Sequence, residues 1–444
     1  MGCSSSGVPR ARVVNIGCRV NRVESDRIEA ELARAGFALD ETGEADLIII
    51  NTCAVTGEAE AKTRKAVRRA LVASPSARVI ATGCSVNLNA SALAALSDRV
   101  IVEPVKERVC ARAAQAAAVL GAAPCAPSAV GSVRGTRARV GVKVQDGCNR
   151  RCSYCIVWRA RGPERSVPVA AVTGRVRELA AAGVAEVVLT GVNLGAWAGS
   201  GRAGGTADIA DLLEAVLGET DIARVRLSSI EPMDVSGRLL AVMAHSSRRV
   251  APYLHLPLQS GCSATLRRMG RPYSAQDFAE LARRSRRSIA GVALSCDIIA
   301  GFPGETDEEF EASFELCARI GFSRMHVFRY SARPGTPAAA ASGRIEPAVA
   351  AGRARRLRAL AAEMTDADAR SRIGTREIAV VERARRARLG SYHPILIDGP
   401  LFDQRLGGRR DAAPIAIADV DIVDIDENGM LHGRIANIPA EGHS

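Results

Sequence analysis

Gln145-Asp146-Gly147-Cys148-Asn149-Arg150-Arg151-Cys152-Ser153-Tyr154-Cys155 sets three cysteines in the spacing C-x3-C-x2-C, directly after the apolar run Val140–Val144. Three thiolates on one tight loop can wrap one face of a cubane iron–sulfur cluster. No fourth cysteine follows nearby. Three ligands leave one iron open, and an open position is what a metal centre needs for chemistry. The competing reading is a structural zinc site. Zinc sites of that kind pair cysteines as C-x2-C and need a second half-site, which is missing near this loop.

Outward from that loop, residues 138–340 carry six strand-like runs: Val140–Val144, Glu186–Thr190, Arg224–Ser228, Tyr253–Leu256, Ala293–Ile299 and Met325–Tyr330. Helical patterns separate most of them. Six β/α units predict a partial (β/α)6 barrel, short of the eight-unit design. An Arg- and Ala-rich helix over 345–371 ends this domain, which is set at 138–371.

Upstream, residues 11–115 alternate strand and helix. Arg12–Gly17 is a short apolar run, and Glu24–Gly36 carries Ile28, Leu32 and Ala35 at helical spacing. Asp46–Asn51 (DLIIIN) is continuously apolar, as strands of a parallel sheet are when both faces are covered. Glu58–Ala73 reads as a basic helix and Arg78–Thr82 as the next strand. This βαβαβ pattern predicts a small doubly wound α/β domain. Residues 116–137, rich in Ala, Pro, Gly and Ser, read as a linker. From Thr375 short β runs follow, at Glu377–Val381, Pro394–Ile397, Ile415–Val423 and Leu431–Ile435. They predict a small all-β barrel over 372–437.

A second set of cysteines is dispersed. Cys18, Cys53 and Cys84 each fall just past a predicted strand, in NIGC, INTC and ATGC. In an open parallel sheet those C-terminal ends converge on one edge, where ligands bind. Three thiolates from three strand ends could meet there. The alternative is three buried cysteines packed as small hydrophobes.

The bulk numbers frame these motifs. The chain has 444 residues, 47% of them hydrophobic, which suits two or three domains. It has no uninterrupted apolar run of about 18 residues, so no membrane span is expected. Nor does the N-terminus hold the apolar core of a secretory leader, so a cytoplasmic protein is expected. The net charge of +12 favours an anionic partner such as nucleic acid. Twelve cysteines in a reducing compartment read as metal ligands rather than disulfides. Cys3, Cys110, Cys125, Cys262, Cys296 and Cys317 show no ligand spacing.

Taken in order, the motifs resemble the radical-SAM methylthiotransferase family across about residues 11–437. They are GCRVN (17–21), NTCAVTGEAEAKTRKAVR (51–68), TGC (82–84), QDGCNRRCSYC (145–155), ARGPERS (160–166), LTGVNLGAW (189–197), SSIEP (228–232), LHLPLQSGC (254–262), DIIAGFPGE (297–305) and RYSARPGTPA (329–338). The resemblance implies two [4Fe–4S] clusters. One, on Cys148, Cys152 and Cys155, would bind S-adenosyl-L-methionine (SAM) in a radical-SAM barrel. The other, on Cys18, Cys53 and Cys84, would be auxiliary. A C-terminal barrel of the TRAM type would bind RNA. SAM would serve as radical source and as methyl donor, and the product would be a methylthio group on carbon 2 of an adenosine at position 37 of tRNA. GCRVN, NTCAVT and the basic stretch after them look most like the threonylcarbamoyladenosine branch. The alternatives within the family are isopentenyladenosine and a ribosomal-protein aspartate. One departure stands out: where many relatives carry Ile-Pro after the third cysteine, Val157 is followed by Trp158.

The chemistry asks for no catalytic histidine or carboxylate pair beyond the cluster ligands. SAM needs polar contacts besides iron, and polar residues at barrel strand ends are the candidates: Asn193, Ser229, Glu231, His255, Gln259 and Asp297. Gly301, Pro303 and Gly304 would shape a loop near its nucleoside. Lys62, Arg64, Lys65, Arg68 and Arg69, with the run containing Arg383, Arg385, Arg386 and Arg388, are the candidates for RNA contact. With only 3% aromatic residues, extensive base stacking is not expected. The other expected partner is an electron donor of flavodoxin or ferredoxin type, and the chain is expected to be a monomer. A non-catalytic RNA-binding module with structural zinc is the rival from another class. A cobalamin-dependent enzyme is weaker, since the Asp-x-His-x-x-Gly signature is missing from the N-terminal domain.

Overall fold

The computed structural model describes residues 8–40, 45–119, 137–200, 205–246, 248–383, 385–398 and 417–437. Cys3, Cys125, most of the expected linker, the side chain of Arg383 and the start of the run at Ile415 lie outside the described residues. The chain divides into two compact units. The first gathers residues 8–119 with Gly147–Pro163 and Ser331–Ala339; the second holds 137–146, Glu164–Tyr330 and the residues from Ala340 onward.

In the first unit five parallel strands lie in the order Ala38–Leu39, Arg10–Asn15, Leu47–Thr52, Arg78–Gly83, Val100–Val102. Alternate residues of DLIIIN explain its unbroken apolar character. Leu47 and Ile49 pack with Ile28, Leu32, Val109 and Ala113 on one face, while Ile48 and Ile50 pack with Val67, Val86 and Leu93 on the other. The sheet is therefore doubly wound, as expected. Each of its three central strands runs into a helix: Arg19–Arg34, Gly57–Ala73 and Cys84–Ala94.

The second unit contains six parallel strands in two groups of three: Arg139–Lys143, Glu186–Thr190 and Arg224–Leu227, then Tyr253–His255, Ala293–Ala300 and Arg324–Arg329. Parallel bridges Val225↔Val250 and Ser229↔His255 join the groups, completing the partial barrel. Val187, Leu189, Val225, Leu227, Leu254, Cys296, Ile298 and Met325 pack outward onto helix residues such as Val176, Leu213, Phe278 and Leu316. Successive side chains on a strand alternate in direction. Glu186, Arg226, His255, Asp297 and His326 therefore occupy the inner face.

The C-terminal strands of this unit close a five-stranded barrel in the order Arg376–Arg383, Arg386–Leu389, Pro394–Asp398, Leu431–Asn437, Ile417–Ile425. Its strand Arg386–Leu389 was expected only as part of a basic run. Ala387 and Leu389 are buried and alternate with arginines, so charge masked a strand period. Arg224 and Arg226 tie this barrel to the inner face of the β/α strands. Buried Glu186 accepts from Arg224 Nε at 2.6 Å and from Arg226 Nε at 2.9 Å. The same guanidiniums donate to the carbonyls of Ile378 (2.7 Å) and Gly390 (2.8 Å). Burial alone would raise the Glu186 carboxyl, but Arg226 and Arg224 bring it down to about 2.

Candidate cluster and cofactor sites

All six motif cysteines belong to the first unit. The strand register sets Asn15 opposite Asn51 and Asn51 opposite Thr82. Cys18, Cys53 and Cys84 follow within two or three residues, on one edge of the sheet. Cys18 is the N-cap of the helix Arg19–Arg34, and Cys84 is the first residue of the helix Cys84–Ala94. The positive end of a helix dipole favours a thiolate. Burial pushes the Cys53 thiol up, the backbone N–H of Val55 counters it, and the sulfurs of Cys18 and Cys84 add to the push.

Side chains lock this edge. Asn21 Nδ2 donates to the Thr52 carbonyl at 2.8 Å, and Asn51 Nδ2 donates back to the Asn21 carbonyl at 2.8 Å. Thr52 Oγ1 donates to the Thr82 carbonyl at 2.7 Å. Gly83 has φ of +99°, and a Cβ there would sit 2.6 Å from the Thr52 carbonyl oxygen, so only glycine delivers Cys84 to the edge.

The second triad is built by the loop from Gly147. The Cys148 N–H donates to the Gly162 carbonyl at 3.1 Å, the Cys155 N–H to the Cys152 carbonyl at 3.1 Å, and the Val157 N–H to Cys155 Sγ at 3.4 Å. At Gly147 φ is +73°, and a Cβ would meet the Pro163 carbonyl oxygen at 1.9 Å. Trp158, the departure from the usual Ile-Pro, stacks under the Arg151 guanidinium at 3.9 Å. It thereby clamps the middle of the cysteine loop to the helix Val157–Arg161.

A buried polar network links the supports of the two triads within this unit. Arg161 donates to Glu24 Oε1 at 2.7 Å and to Asn21 Oδ1 at 2.6 Å. Lys106 pairs with the same Glu24, and Asn87 Nδ2 donates to the Ala160 carbonyl at 2.7 Å. Burial lowers the Lys106 ammonium, and Arg161 lowers it further. Cys84 packs with Ala54 and Ala160. Ser331 accepts from the Gly57 N–H at 3.1 Å and Arg333 pairs with Glu60, which seats the RYSARPG segment on the basic helix. Sequence reasoning quoted the motifs holding Asn21 and Arg161 without giving either a role, and gave none to Glu24 or Lys106. A charged residue inside a helix reads as a solvated face until its partner is known.

On the second unit, the strand ends carry the residues expected to contact SAM. Asn193 is buried; its N–H donates to Gln145 Oε1 at 2.8 Å and its Nδ2 to Glu164 Oε1 at 3.0 Å, while its Oδ1 has no partner. Ser228 Oγ is likewise buried without a partner beside Ser229. Buried polar atoms are nearly always bonded, so each is left for a water or a ligand to satisfy. Gln259 adopts φ of +67°, which a non-glycine residue reaches only at a cost. Glu231 is held by buried Arg271. Gly301 has φ of +75° against Ala350, and its N–H donates to Glu305 at 2.8 Å, which shapes the loop after Ala300. His255 and Asp297, also expected to contact SAM, engage each other, and Asp297 engages His326 as well. Burial opposes the charge on Asp297, yet hydrogen bonds from the two imidazoles hold its carboxyl well below the usual range. His326 was missed because a single mid-strand histidine has no spacing signal; only its alternation with apolar Met325 and Val327 pointed inward.

The helix Gly57–Ala73 buries Thr63 and Val67 and exposes Lys62, Arg64, Lys65, Arg68 and Arg69. Arg386 is exposed, and Arg385 stands at the hairpin tip beside Asp398. Arg388 turns against the Tyr392 ring, 5.3 Å from its centroid, and faces solvent less than its neighbours. Among the described residues no helix is long and apolar enough to cross a membrane.

A β/α barrel carrying a three-cysteine loop defines an α/β enzyme of the radical-SAM class. The Radical SAM superfamily matches residues 142–317, and the uncharacterized protein family UPF0004 matches residues 10–102. The threonylcarbamoyladenosine tRNA methylthiotransferase MtaB of Treponema pallidum (strain Nichols) is 34% identical, over 79% of this chain and 86% of its own length. The tRNA-2-methylthio-N(6)-dimethylallyladenosine synthase of Novosphingobium aromaticivorans is also 34% identical, over 80% and 83%. The radical S-adenosylmethionine methyltransferase TsrM of Kitasatospora setae, solved with cobalamin and a [4Fe-4S] cluster, shares the fold with a TM-score of 0.53 at 16% identity, covering 75% of this chain and 77% of that one. The chain belongs to the radical-SAM methylthiotransferase family. That membership implies a [4Fe–4S] cluster and SAM, and the donor set at Cys148, Cys152 and Cys155 fits such a cluster: three thiolates on one loop, with the fourth iron left for SAM.

Proposed function

We propose that this enzyme transfers a methylthio group to carbon 2 of N6-threonylcarbamoyladenosine at position 37 of tRNA, with two [4Fe–4S] clusters and with SAM as both radical source and methyl donor. The observation that carries this reading is the pair of cysteine triads held by one compact unit. One triad sits on a loop with an open-sited spacing; the other sits where three adjacent parallel strands end on one edge of the sheet. Cys148, Cys152 and Cys155 would hold the first cluster, which would supply the electron for reductive cleavage of SAM. Cys18, Cys53 and Cys84 hold the auxiliary cluster that bears the sulfur to be transferred. Asn193 and Gln259 orient SAM, with Ser229 and Glu231 beside them. Lys62, Arg64, Lys65, Arg68 and Arg69, with Arg385 and Arg386, attract the RNA backbone. The enzyme works as a cytoplasmic monomer with a flavodoxin- or ferredoxin-type donor.

Similarity to relatives named for threonylcarbamoyladenosine supports the substrate, while the equally similar dimethylallyladenosine synthase supports the isopentenyl alternative. The decisive experiment is mass spectrometry of tRNA nucleosides from a strain lacking the gene, with and without its restoration. Loss and return of 2-methylthio-threonylcarbamoyladenosine is expected, with no return when the restored gene carries Cys53→Ala or Cys152→Ala. Loss of the isopentenyl product instead would move the substrate and keep the chemistry. No change in any methylthio product would overturn the reading.

A further inference from the structure

His255, Asp297 and His326 come from three neighbouring parallel strands of the second unit. The register sets His326 directly beside Asp297 and His255 beside Ser295, two residues along the same strand, so all three side chains leave one face, with His255 one step from the other two. His255 Nε2 lies 3.3 Å from Asp297 Oδ2, and His326 Nδ1 lies 3.0 Å from Asp297 Oδ1. One ligand atom from each residue falls within 4.8 Å of the other two.

We propose that these three residues bind one divalent first-row transition-metal ion, separate from the iron–sulfur clusters. Two imidazole nitrogens and one carboxylate form a donor set of borderline softness, suited to zinc, iron(II), manganese or nickel. Two donors about 2.1 Å from one ion and at right angles are about 3.0 Å apart, the spacing that His326 and Asp297 already have. Ser295 Oγ lies 2.9 Å from His255 Nδ1. With Nδ1 engaged by this hydroxyl, Nε2 is the nitrogen left to bind the ion. Extended strands supply all three residues, and strands hold a site more rigidly than loops do. The His326 side chain is 46% exposed, which provides an entry path. Three protein ligands leave coordination positions open for water or for an oxygen donor such as a carboxylate. This inference does not rest on the proposed substrate, and it stands or falls without it.

The test uses the full chain with its clusters reconstituted anaerobically and passed over a chelating resin. It is then titrated with Mn2+, which thiolates hold less well than they hold zinc. Free Mn2+ is counted by its six-line electron paramagnetic resonance signal. One Mn2+ per chain is expected. His326→Ala removes a half-exposed ligand and should weaken uptake by more than about tenfold; Ser295→Ala keeps all three ligands and should weaken it roughly tenfold. Far-UV circular dichroism and cluster absorbance should stay unchanged in both variants. Wild-type protein that takes up no more Mn2+ than the His326→Ala variant would show a proton-bridged triad instead and overturn the proposal.

Discussion

Replacing Arg161 by Gln tests the network that links the supports of the two triads. The Arg161 side chain is 5% exposed and that of Glu24 is 8% exposed, so both charges are almost fully removed from water. Deleting one partner of a buried ion pair typically costs about 3–5 kcal/mol, because the other charge stays behind unpaired. Here Lys106 remains beside Glu24, and losing Arg161 also removes a repulsion that Lys106 suffers. A reduced cost of about 2–3 kcal/mol is therefore expected. Hydrogen exchange with mass spectrometry reads that energy locally, without assuming that a chain of two units unfolds in one step. Amides of the helices Arg19–Arg34 and Val157–Arg161 should exchange on the order of 30 to 150 times faster, at 1.36 kcal/mol per tenfold. Helices of the second unit should be unaffected. Acceleration of less than about threefold in both helices would refute the reasoning, since Glu24 would then be content with Lys106 alone. The double variant Glu24→Gln, Arg161→Gln should recover part of the loss, because it leaves no unpaired buried charge.

Two further outcomes follow from the charges. Glu186 has its folded value lowered from 4.5 to about 2, so its stabilisation is complete above 4.5 and is lost as pH falls from there toward 2. Acid titration followed by circular dichroism should show this as roughly 3 kcal/mol of pH-dependent stability, flattened in Glu186→Gln; equal acid sensitivity in both proteins would remove Glu186 from the account. Changing Lys62, Lys65, Arg68 and Arg69 together to Ala should lower the magnitude of the slope of log affinity for tRNA against log salt by roughly 3, at about 0.7–0.9 per phosphate contact. An unchanged slope would place the RNA elsewhere.

Much of the strand framework was legible in the chain because buried parallel strands are continuous apolar runs. Glu186–Thr190 was read to the residue, and the other five barrel strands to within a residue or two. Cys18, Cys53 and Cys84 could be grouped from three separate places because parallel strands end on one edge. What escaped depends on partners distant in sequence. Arg161 and Glu24 are 137 residues apart, and each alone looks like an ordinary surface charge. The strand Arg386–Leu389 was hidden by arginines on its outer positions. His326 needed the register with Asp297 before its direction had meaning. Nor could apolar patterning reveal that Gly147–Pro163, which follows the first barrel strand, packs with the N-terminal sheet.

That last arrangement sets a timetable for biosynthesis. The first unit is discontinuous: its sheet is complete by residue 119, yet Ser331 and Arg333, which bind Gly57 and Glu60, emerge from the ribosome about 210 residues later. At about 5–20 residues per second, the nascent chain waits roughly 10 to 40 seconds with that surface uncovered. Early in that wait Cys148, Cys152 and Cys155 are made and join Cys18, Cys53 and Cys84. The segment Ser331–Ala339 completes the first unit only when synthesis is nearly three-quarters done.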